Sequence, residues 1–461
     1  MKKIIFIVFL VTALLVCSFF GGSFGITFLE RDKPLLKITS LRAASEPLSI
    51  EAVFQDSGAG LKEISIVAEQ NTQTIELINK KYDALTKEDK IELSLIRFNA
   101  LKEGPALIKA TAKDNSLWGN THYAELEILI DYSPPRLELL SLQHVASQGG
   151  AEFVIYKALD SNLETHGVEV GEYFFPGFPI AETGGIKALP DTYGSLFALP
   201  LGYERNRSTL QLRAKDKAGN ITVMPLNFRI SSTAQRAVDM NMSDDFLQRK
   251  NPELFPGYVR FAAQKGEKVP EKEADLPEAA WQFKLINRNY RDLLDAQLDE
   301  ITKSSDRPRL WKEPFIKPMP SATSSTFGEK RTYLYKGLNI GHSVHNGLDL
   351  ASVQADAVQA ANDGIVVLAE DFGIYGNTIL IDHGLGLFSL YGHLSSMAVA
   401  TNESVSRGQE IGRSGQTGLA GGDHLHFEFR IREVPVTPIE WWDAKWIVDN
   451  IDGKIKELTV N

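Results

Sequence analysis

Residues 423–429 read Asp-His-Leu-His-Phe-Glu-Phe, an alternation of polar and apolar side chains that predicts a β-strand. Successive side chains of a strand point to opposite faces, so His424 and His426 share one face while Leu425 and Phe427 share the other. Two histidines on one face of a sheet can bind a metal ion, or they can simply cover the sheet surface. The stretch therefore predicts a β-sheet domain with an imidazole pair on its polar face.

A second motif lies upstream at residues 345–349, which read His-Asn-Gly-Leu-Asp. A spacing of four keeps His345 and Asp349 on one face of a strand, with Leu348 turned into the core. An imidazole, a carboxylate and a second imidazole make a three-ligand zinc site whose fourth position is open for water. His393, which follows an apolar run, is a third candidate that taken alone would also fit a structural role.

The ligands of any bound metal must be histidines and carboxylates. The chain contains a single cysteine, Cys17, which excludes an intrachain disulfide and any metal site built from several cysteines. Of the nine histidines, six lie in the last 120 residues, at His342, His345, His383, His393, His424 and His426. We leave His342 and His383 out of the predicted site; the sequence Asp-His-Gly at residues 382–384 is typical of the end of a strand.

Taken in order, these motifs resemble the lysostaphin/LytM-type zinc metalloendopeptidases of bacterial cell walls, which have a duplicated hybrid motif fold. The resemblance rests on the HxxxD motif at 345–349, on His393 and on the HxH motif at 424–426, and it covers about residues 318–440, a quarter of the chain. Supporting motifs of the family occur upstream of, between and around these residues, in the order expected for the family. They lie at residues 326–328, 360–366, 375–377, 381–384, 405–412 and 414–418.

The resemblance implies one Zn²⁺ per chain, held by His345, Asp349 and His426. It also implies that His393 and His424 are catalytic histidines beside a metal-activated water, and it leaves open which of the two is the base. The implied reaction is hydrolysis of a peptide bond in bacterial peptidoglycan. None of the five residues is missing, which weighs against a relative that only activates another wall hydrolase.

Three further residues concern the surroundings of the site. Ala355 opens a turn that in this family usually begins with glycine, and Asn402 stands where a glycine is common. Both are expected to affect loop shape rather than activity. Glu428 lies on the same strand face as the two histidines, where it could orient a metal ligand or be a surface carboxylate.

The region upstream contains an internal repeat. A motif of Ala-Lys-Asp leading to Gly-Asn occurs at residues 112–120 and again at 214–220, an offset of about 100. A period of this size with short alternating strands is typical of immunoglobulin-like sandwiches. We therefore predict sandwich modules at residues 34–132 and 133–231, which could act as spacers or bind other envelope proteins.

Between the modules and the C-terminal motifs, residues 234–306 have a helical pattern. Their apolar stripe predicts an amphipathic helix over 279–304 that packs on the neighbouring catalytic domain. The whole sequence thus predicts a mainly β protein: two tandem immunoglobulin-like sandwiches, a helical segment and a C-terminal antiparallel β-sheet metallopeptidase domain at 315–445, followed by a tail at 446–461. The stripe consists of Phe283, Ile286, Tyr290, Leu293, Leu294, Leu298 and Ile301.

The charge balance argues against a nucleic-acid partner. The 461 residues include 49 Lys and Arg against 59 Asp and Glu, a net charge of −10. A nucleic-acid-binding surface needs an excess of basic side chains to displace counterions from phosphates.

The N-terminal segment, residues 1–30, predicts export. Residues 4–29 carry no charged side chain, and Lys2 and Lys3 precede them. Such a stretch is long enough to cross a bilayer, with its basic flank on the cytoplasmic side. The alternative is a signal peptide cleaved near the small residues at 21–25. Both readings place the rest of the chain in the cell envelope, on the periplasmic side of the cytoplasmic membrane.

The sequence as a whole therefore predicts a zinc-dependent peptidoglycan endopeptidase, either anchored by its N-terminal segment or released outside the cytoplasm. The first alternative is a non-catalytic envelope scaffold or an activator of another wall hydrolase. The second is a phosphocarrier domain with paired histidines on a sheet, which the predicted export disfavours because the phosphodonor would be cytoplasmic.

Overall fold

The computed structural model describes residues 30–41, 49–95, 101–142, 145–184, 189–305 and 307–460. The predicted N-terminal segment lies outside these ranges, apart from its last residue. Among the described residues, no helix is both long enough and apolar enough to cross a membrane. The described residues form two compact units. The first comprises those up to Pro135 together with Asp160–Glu164 and Lys215–Thr222, and the second comprises the rest.

The first unit contains a two-sheet sandwich. Two antiparallel sheets, with strand orders β1-β2-β5 and β4-β3-β6-β7, enclose one apolar core. Strand periodicity explains the core, because Ile64, Ile66 and Ala68 alternate with more exposed residues along β3. The strands are β1 (Leu35–Leu41), β2 (Ser49–Gln55), β3 (Leu61–Gln70), β4 (Gln73–Thr86), β5 (Glu88–Ser94), β6 (Gly104–Asp114) and β7 (Thr121–Ile130).

The repeated sequence motif forms the same turn twice. In the first copy, the Asn120 side-chain amide donates to Asp114 at 2.8 Å, and the Asp114 amide donates to the Asn120 carbonyl at 3.1 Å. In the second copy, Asn220 and Asp216 make the same two bonds at 2.8 and 3.1 Å. This agreement supports the internal repeat.

Residues 136–231 also form two main sheets, with strand orders β13-β14-β10-β8 and β12-β11-β15-β16, while β17 pairs with β9 in parallel. Their elements are β8 (Arg136–Leu139), β9 (Val145–Ser147), β10 (Ala151–Leu159), β11 (Leu163–Val170), β12 (Tyr173–Pro176), β13 (Phe178–Pro179), helix α1 (Ile180–Gly184), β14 (Thr192–Ala198), β15 (Leu210–Asp216), β16 (Ile221–Pro225) and β17 (Arg229–Ser231).

The next segment is mostly helical but begins with a strand. It comprises β18 (Ala237–Asn241), α2 (Asp244–Gln264), α3 (Glu278–Leu285), a π-helical turn (Ile286–Tyr290) and α4 (Arg291–Lys303). The prediction of helix from residue 234 is therefore wrong for β18, where Val238 and Met240 are half-buried and their neighbours exposed. That period of two is the strand pattern, and β18 pairs in parallel with residues 330–335.

The predicted packing of residues 279–304 on the C-terminal domain is confirmed. Tyr290, Leu294 and Leu298 belong to one buried apolar cluster with Phe388 and Leu390 of the C-terminal sheet. Burial of this stripe fixes the helical segment to one face of that sheet.

The C-terminal domain is built on one large antiparallel sheet of order β19-β22-β30-β26-β25-β24-β28, with β31 paired to β30. Smaller sheets have the orders β18-β20-β21 and β23-β29-β27. The strands are β19 (Ala322–Ser325), β20 (Lys330–Tyr335), β21 (Leu338–Val344), β22 (Leu348–Ala351), β23 (Ala357–Gln359), β24 (Gly364–Asp371), β25 (Asn377–Gly384), β26 (Leu387–Leu394), β27 (Ser396–Met397), β28 (Ser404–Val405), β29 (Glu410–Arg413), β30 (Leu425–Ile431) and β31 (Val434–Val436).

Helices follow this sheet to the end of the described chain, including the predicted tail. They are α5 (Pro438–Trp442), α6 (Ala444–Ile447), a π-helical turn (Val448–Asp452) and α7 (Gly453–Val460). Trp441 and Trp442 of α5 stack on Phe429 and Phe427, respectively. These contacts bury the apolar face of β30 and leave its polar side chains on the opposite face. The mainly β fold class predicted from the sequence is confirmed.

Candidate metal centre and active site

The register of two neighbouring strands brings Asp349 and His426 together. Asp349 on β22 lies directly opposite His426 on β30. His345 is not in a strand, contrary to the sequence prediction, but in the turn before β22. Gly347 explains the turn, because a Cβ at this position would lie 2.4 Å from the carbonyl oxygen of Phe427. Because glycine permits this close approach, His345 lies beside Asp349 although it is outside the strand.

Three ligand atoms converge at this point. The Nε2 atom of His345 lies 2.9 Å from Oδ1 of Asp349 and 3.0 Å from Nδ1 of His426. Nδ1 of His426 lies 3.1 Å from the same Asp349 oxygen. All three residues are buried. These separations are close to the ~3.3 Å expected between donors that bind one tetrahedral zinc at ~2.0 Å.

Hydrogen bonds on the far side of each ring indicate which nitrogen carries the lone pair. Nδ1 of His345 donates to the carbonyl of Thr326 at 3.0 Å, and Nε2 of His426 faces Glu428 at 3.4 Å. The two nitrogens that face Asp349 are then acceptors in the neutral rings. Three mutually facing acceptors need a cation or protons between them, so the donor set of two imidazoles and one carboxylate fits a zinc ion.

The pKa values of the three residues reflect their close approach. Burial opposes ionisation of Asp349, but hydrogen bonds from His345 and His426 outweigh it and hold the pKa of Asp349 well below its usual range. Burial lowers the pKa of His345. For His426, burial is outweighed by the carboxylates of Asp349 and Glu428, which raise its pKa to about 9. The carboxylate of Asp349 thus strongly favours a positive charge beside it.

The other two predicted histidines face each other beside this cluster. Their ring centroids lie 4.8 Å apart, and Nε2 of His424 is 3.6 Å from Oδ1 of Asp349. Nδ1 of His393 donates to the carbonyl of Thr417 at 2.8 Å, and Nδ1 of His424 donates to that of Gly422 at 2.9 Å. With Nδ1 engaged in both rings, Nε2 is the atom that can exchange a proton.

His393 adopts an unusual backbone conformation. Its φ of 62° lies in the left-handed region, which costs free energy for a residue with a Cβ. Burial and the neighbouring histidines His424 and His426 hold the pKa of His393 well below its usual value, so the ring is neutral at neutral pH. A strained, neutral histidine in a cavity is suited to accept a proton.

All five predicted residues line one cavity of about 540 Å³. Part of its wall comes from the helical segment and from β18, through Met240, Met242, Phe246 and Phe283. The cavity therefore combines these five polar side chains of the C-terminal domain with apolar side chains from the preceding segment.

Sequence reasoning missed Arg331, whose Nη2 donates to the second oxygen of Asp349 at 2.9 Å. Arg331 lies on β20, outside every motif, so no local pattern could have identified it. The sequence is compatible with two roles for Glu428, orienting a metal ligand or lying at the surface. Its complete burial beside His426 favours the orienting role. His383 is buried away from the cluster, against Ser389 and the carbonyl of Asp363.

The sequence profile of peptidase family M23 matches residues 343–438. Peptidoglycan DD-endopeptidase ShyA of Vibrio cholerae is 41% identical over 96 residues, which is 21% of this chain and 22% of that protein. DD-carboxypeptidase/endopeptidase Mpg of Neisseria meningitidis has the same identity and coverage. The chain thus spans about a fifth of the length of these relatives.

Among solved structures, the catalytic domain of the antimicrobial peptidase lysostaphin from Staphylococcus simulans is 27% identical. The alignment covers 26% of this chain and 92% of that domain, with a TM-score of 0.23. The match to residues 343–438 coincides with the domain that carries the cluster of His345, Asp349 and His426. The part of the chain that resembles the peptidases of family M23 is therefore the C-terminal domain, at residues 343–438.

Proposed function

We propose that this protein is a zinc-dependent endopeptidase that hydrolyses peptide bonds of bacterial peptidoglycan. The observation that carries the proposal is the convergence of His345, Asp349 and His426 within 3.1 Å, beside a histidine pair in one cavity. The relatives support the substrate class, because ShyA is a peptidoglycan DD-endopeptidase and Mpg a DD-carboxypeptidase/endopeptidase.

In this proposal, His345, Asp349 and His426 hold the metal. When bound, a zinc ion supplies Lewis-acid chemistry by activating water and polarising a carbonyl. The chain contributes the orientation of each ligand: Thr326 fixes the tautomer of His345, and Arg331 holds the second oxygen of Asp349. Partners of this kind keep metal ligands in the orientation that binding needs.

His393 and His424 divide the proton transfer between them. One Nε2 accepts a proton from the attacking water, while the other, on a ring protonated at both nitrogens, donates a hydrogen bond to the oxygen that becomes negative as the carbonyl carbon turns tetrahedral. The carbonyls of Thr417 and Gly422 hold both rings by Nδ1, so Nε2 keeps its direction throughout the reaction.

Digestion of purified peptidoglycan tests the activity directly, with mass spectrometry of the released peptides to identify the bond cut. We expect chelation to abolish release and added Zn²⁺ to restore it. Release of peptides by fully metal-free protein would contradict the proposal.

Single alanine variants test the division of labour. Replacing His345, Asp349 or His426 removes a donor, so both metal content and activity should be lost. Replacing His393 or His424 should leave about one zinc per chain and lower the rate by ~10²–10⁴-fold, the usual contribution of a positioned acid or base. Metal loss in His424→Ala with retention in His426→Ala would reverse these two roles.

We further propose that the uncharged segment at residues 4–29 directs the protein out of the cytoplasm, as an anchor or as a cleaved signal. Its length and the preceding Lys2 and Lys3 support this location. Protease treatment of spheroplasts should degrade the protein, and complete protection would place it inside the cell. A membrane-bound protein with the mass of the full chain would indicate an anchor, whereas a shorter, released protein would indicate a cleaved signal.

A further inference from the structure

A line of charged side chains connects the metal cluster to helix α4. Nε2 of His426 lies 3.4 Å from one oxygen of Glu428, and the other oxygen accepts from Nη1 of Arg430 at 2.8 Å. Nη2 of Arg430 in turn donates to Asp299 on α4. Asp299 lies outside the segment 343–438 that matches the family, so the last member of this line comes from the helical segment.

The middle of this line is removed from water. The side chain of Glu428 is 0% exposed and that of Arg430 is 2% exposed. In such surroundings charges interact more strongly than at a surface, and an unbalanced charge is costly. Arg430 therefore divides its attraction between two carboxylates, those of Glu428 and Asp299.

Helix α4 is fixed well enough to hold Asp299 in place. Leu294 and Leu298 are buried in the cluster that joins α4 to the C-terminal sheet. One turn before Asp299, Asp295 accepts a hydrogen bond from the hydroxyl of Tyr375 at 2.7 Å. Burial raises the pKa of Asp299 to about 6 against the attraction of Arg430, so this carboxylate is ionised at neutral pH.

We propose that Asp299 is a positioning residue for the metal centre, acting through Arg430 and Glu428 on His426. By balancing Arg430, Asp299 leaves negative charge on Glu428 to face the Nε2–H of His426, which makes Nδ1 a stronger donor to a metal. Without Asp299, Arg430 draws Glu428 toward itself and the imidazole loses orientation and basicity. The proposal rests on the proposed role of His426 as a metal ligand.

This role makes the helical segment part of the catalytic unit. The metal-binding residues lie in the family domain, but the charge that balances their supporting network comes from a helix that precedes the domain in sequence. A fragment limited to residues 343–438 would retain all five site residues and lack this charge.

The test measures the affinity of the metal-free full chain for Zn²⁺, by competition with a chromophoric chelator, and the visible spectrum of the Co²⁺-loaded protein. We expect Asp299→Asn to bind Zn²⁺ about 10-fold more weakly, the lower end of the range for residues that support a metal ligand. The Co²⁺ bands should also shift, because they report the ligand field. Asp299→Glu, which keeps the charge, should recover most of the affinity.

The matched control is Glu300→Gln, which removes the same charge from the exposed neighbour on α4 and should bind Zn²⁺ as the original protein does. Unchanged affinity and spectrum in Asp299→Asn would overturn the proposal. Equal weakening in Asp299→Asn and Asp299→Glu would also overturn it, since it would indicate a packing role. The proposed function is judged separately, because an original protein that binds metal but leaves peptidoglycan intact refutes that function alone.

Discussion

His383 and His393 are both buried in the C-terminal domain, yet their surroundings differ at the level of single atoms. Nε2 of His383 is engaged by Ser389 at 2.7 Å and its ring packs edge-on against Phe315. His393 faces His424 across the cavity. Burial is therefore common to the two histidines, and what distinguishes His393 is that its ring lines the cavity.

The buried His383 predicts acid sensitivity. Burial lowers its pKa to about 4 from an ordinary value of 6.5. Between these pH values, His383 binds a proton in the unfolded chain but not in the folded chain. The stabilisation is complete above pH 6.5 and is lost as the pH falls toward 4, by about 3 kcal/mol in total. His383→Gln should reduce this loss in chemical denaturation of the metal-free protein from pH 7 to 4. The exposed His342→Gln is the control, and an unchanged pH dependence in His383→Gln would contradict the assignment.

Two residues show how far local sequence predicts local conformation. The resemblance described above leads one to expect glycine in place of Ala355 and Asn402, and both have left-handed φ values, 54° and 72°. The turns therefore keep a glycine-like conformation without glycine. Arg331 and Asp299 illustrate the opposite case. Each acts through a partner far away in the chain, and no pattern around either residue records that contact.

Among the elements, helix α4 connects packing to the site. Its apolar side contacts the C-terminal sheet, and its carboxylates Asp295 and Asp299 bond to Tyr375 and Arg430 of that domain. The amphipathic period predicted the docking of this helix. Strand β18 was missed because five residues of alternation are a weak pattern beside a long helical one.

Leu298 should contribute strongly to this docking because it is completely buried in the shared cluster. We expect Leu298→Ala to lower the free energy of unfolding by ~2–5 kcal/mol, the range for cavity-forming leucine substitutions. Val259→Ala on the exposed side of α2 is the control and should cost much less. Equal effects of the two substitutions in urea unfolding would show that α4 is not held by this cluster.

At the scale of the molecule, the second unit joins strands of the second module to the C-terminal domain. Lys454 on α7 reaches Glu152 on β10 at 3.0 Å and donates to the carbonyl of Phe153 at 2.7 Å. Both charged side chains are nearly inaccessible, at 2% and 1% exposure. A buried ion pair 302 residues apart in sequence connects the end of the chain to the module.

Removal of one partner should be far more harmful than removal of both. Lys454→Met leaves Glu152 charged and buried, which we expect to cost ~3–5 kcal/mol in the free energy of unfolding. The double variant Glu152→Gln with Lys454→Met should recover most of that loss. Lys445→Met, which breaks an exposed ion pair with Asp449, should leave the free energy of unfolding nearly unchanged. A double variant no more stable than Lys454→Met would contradict this account.

The parallel pairing of β18 with β20 has a consequence for the continuity of the chain. Residues 237–241 lie beside residues 330–335, so the helical segment leaves and returns at neighbouring strands. The connection between α2 and α3, residues 265–277, is largely exposed. A protease that cuts there leaves one fragment that contains β18 and another that contains β20. The pairing of β18 with β20 then joins the two fragments. The peptide backbone can thus be interrupted at this connection while the two fragments stay associated through native contacts.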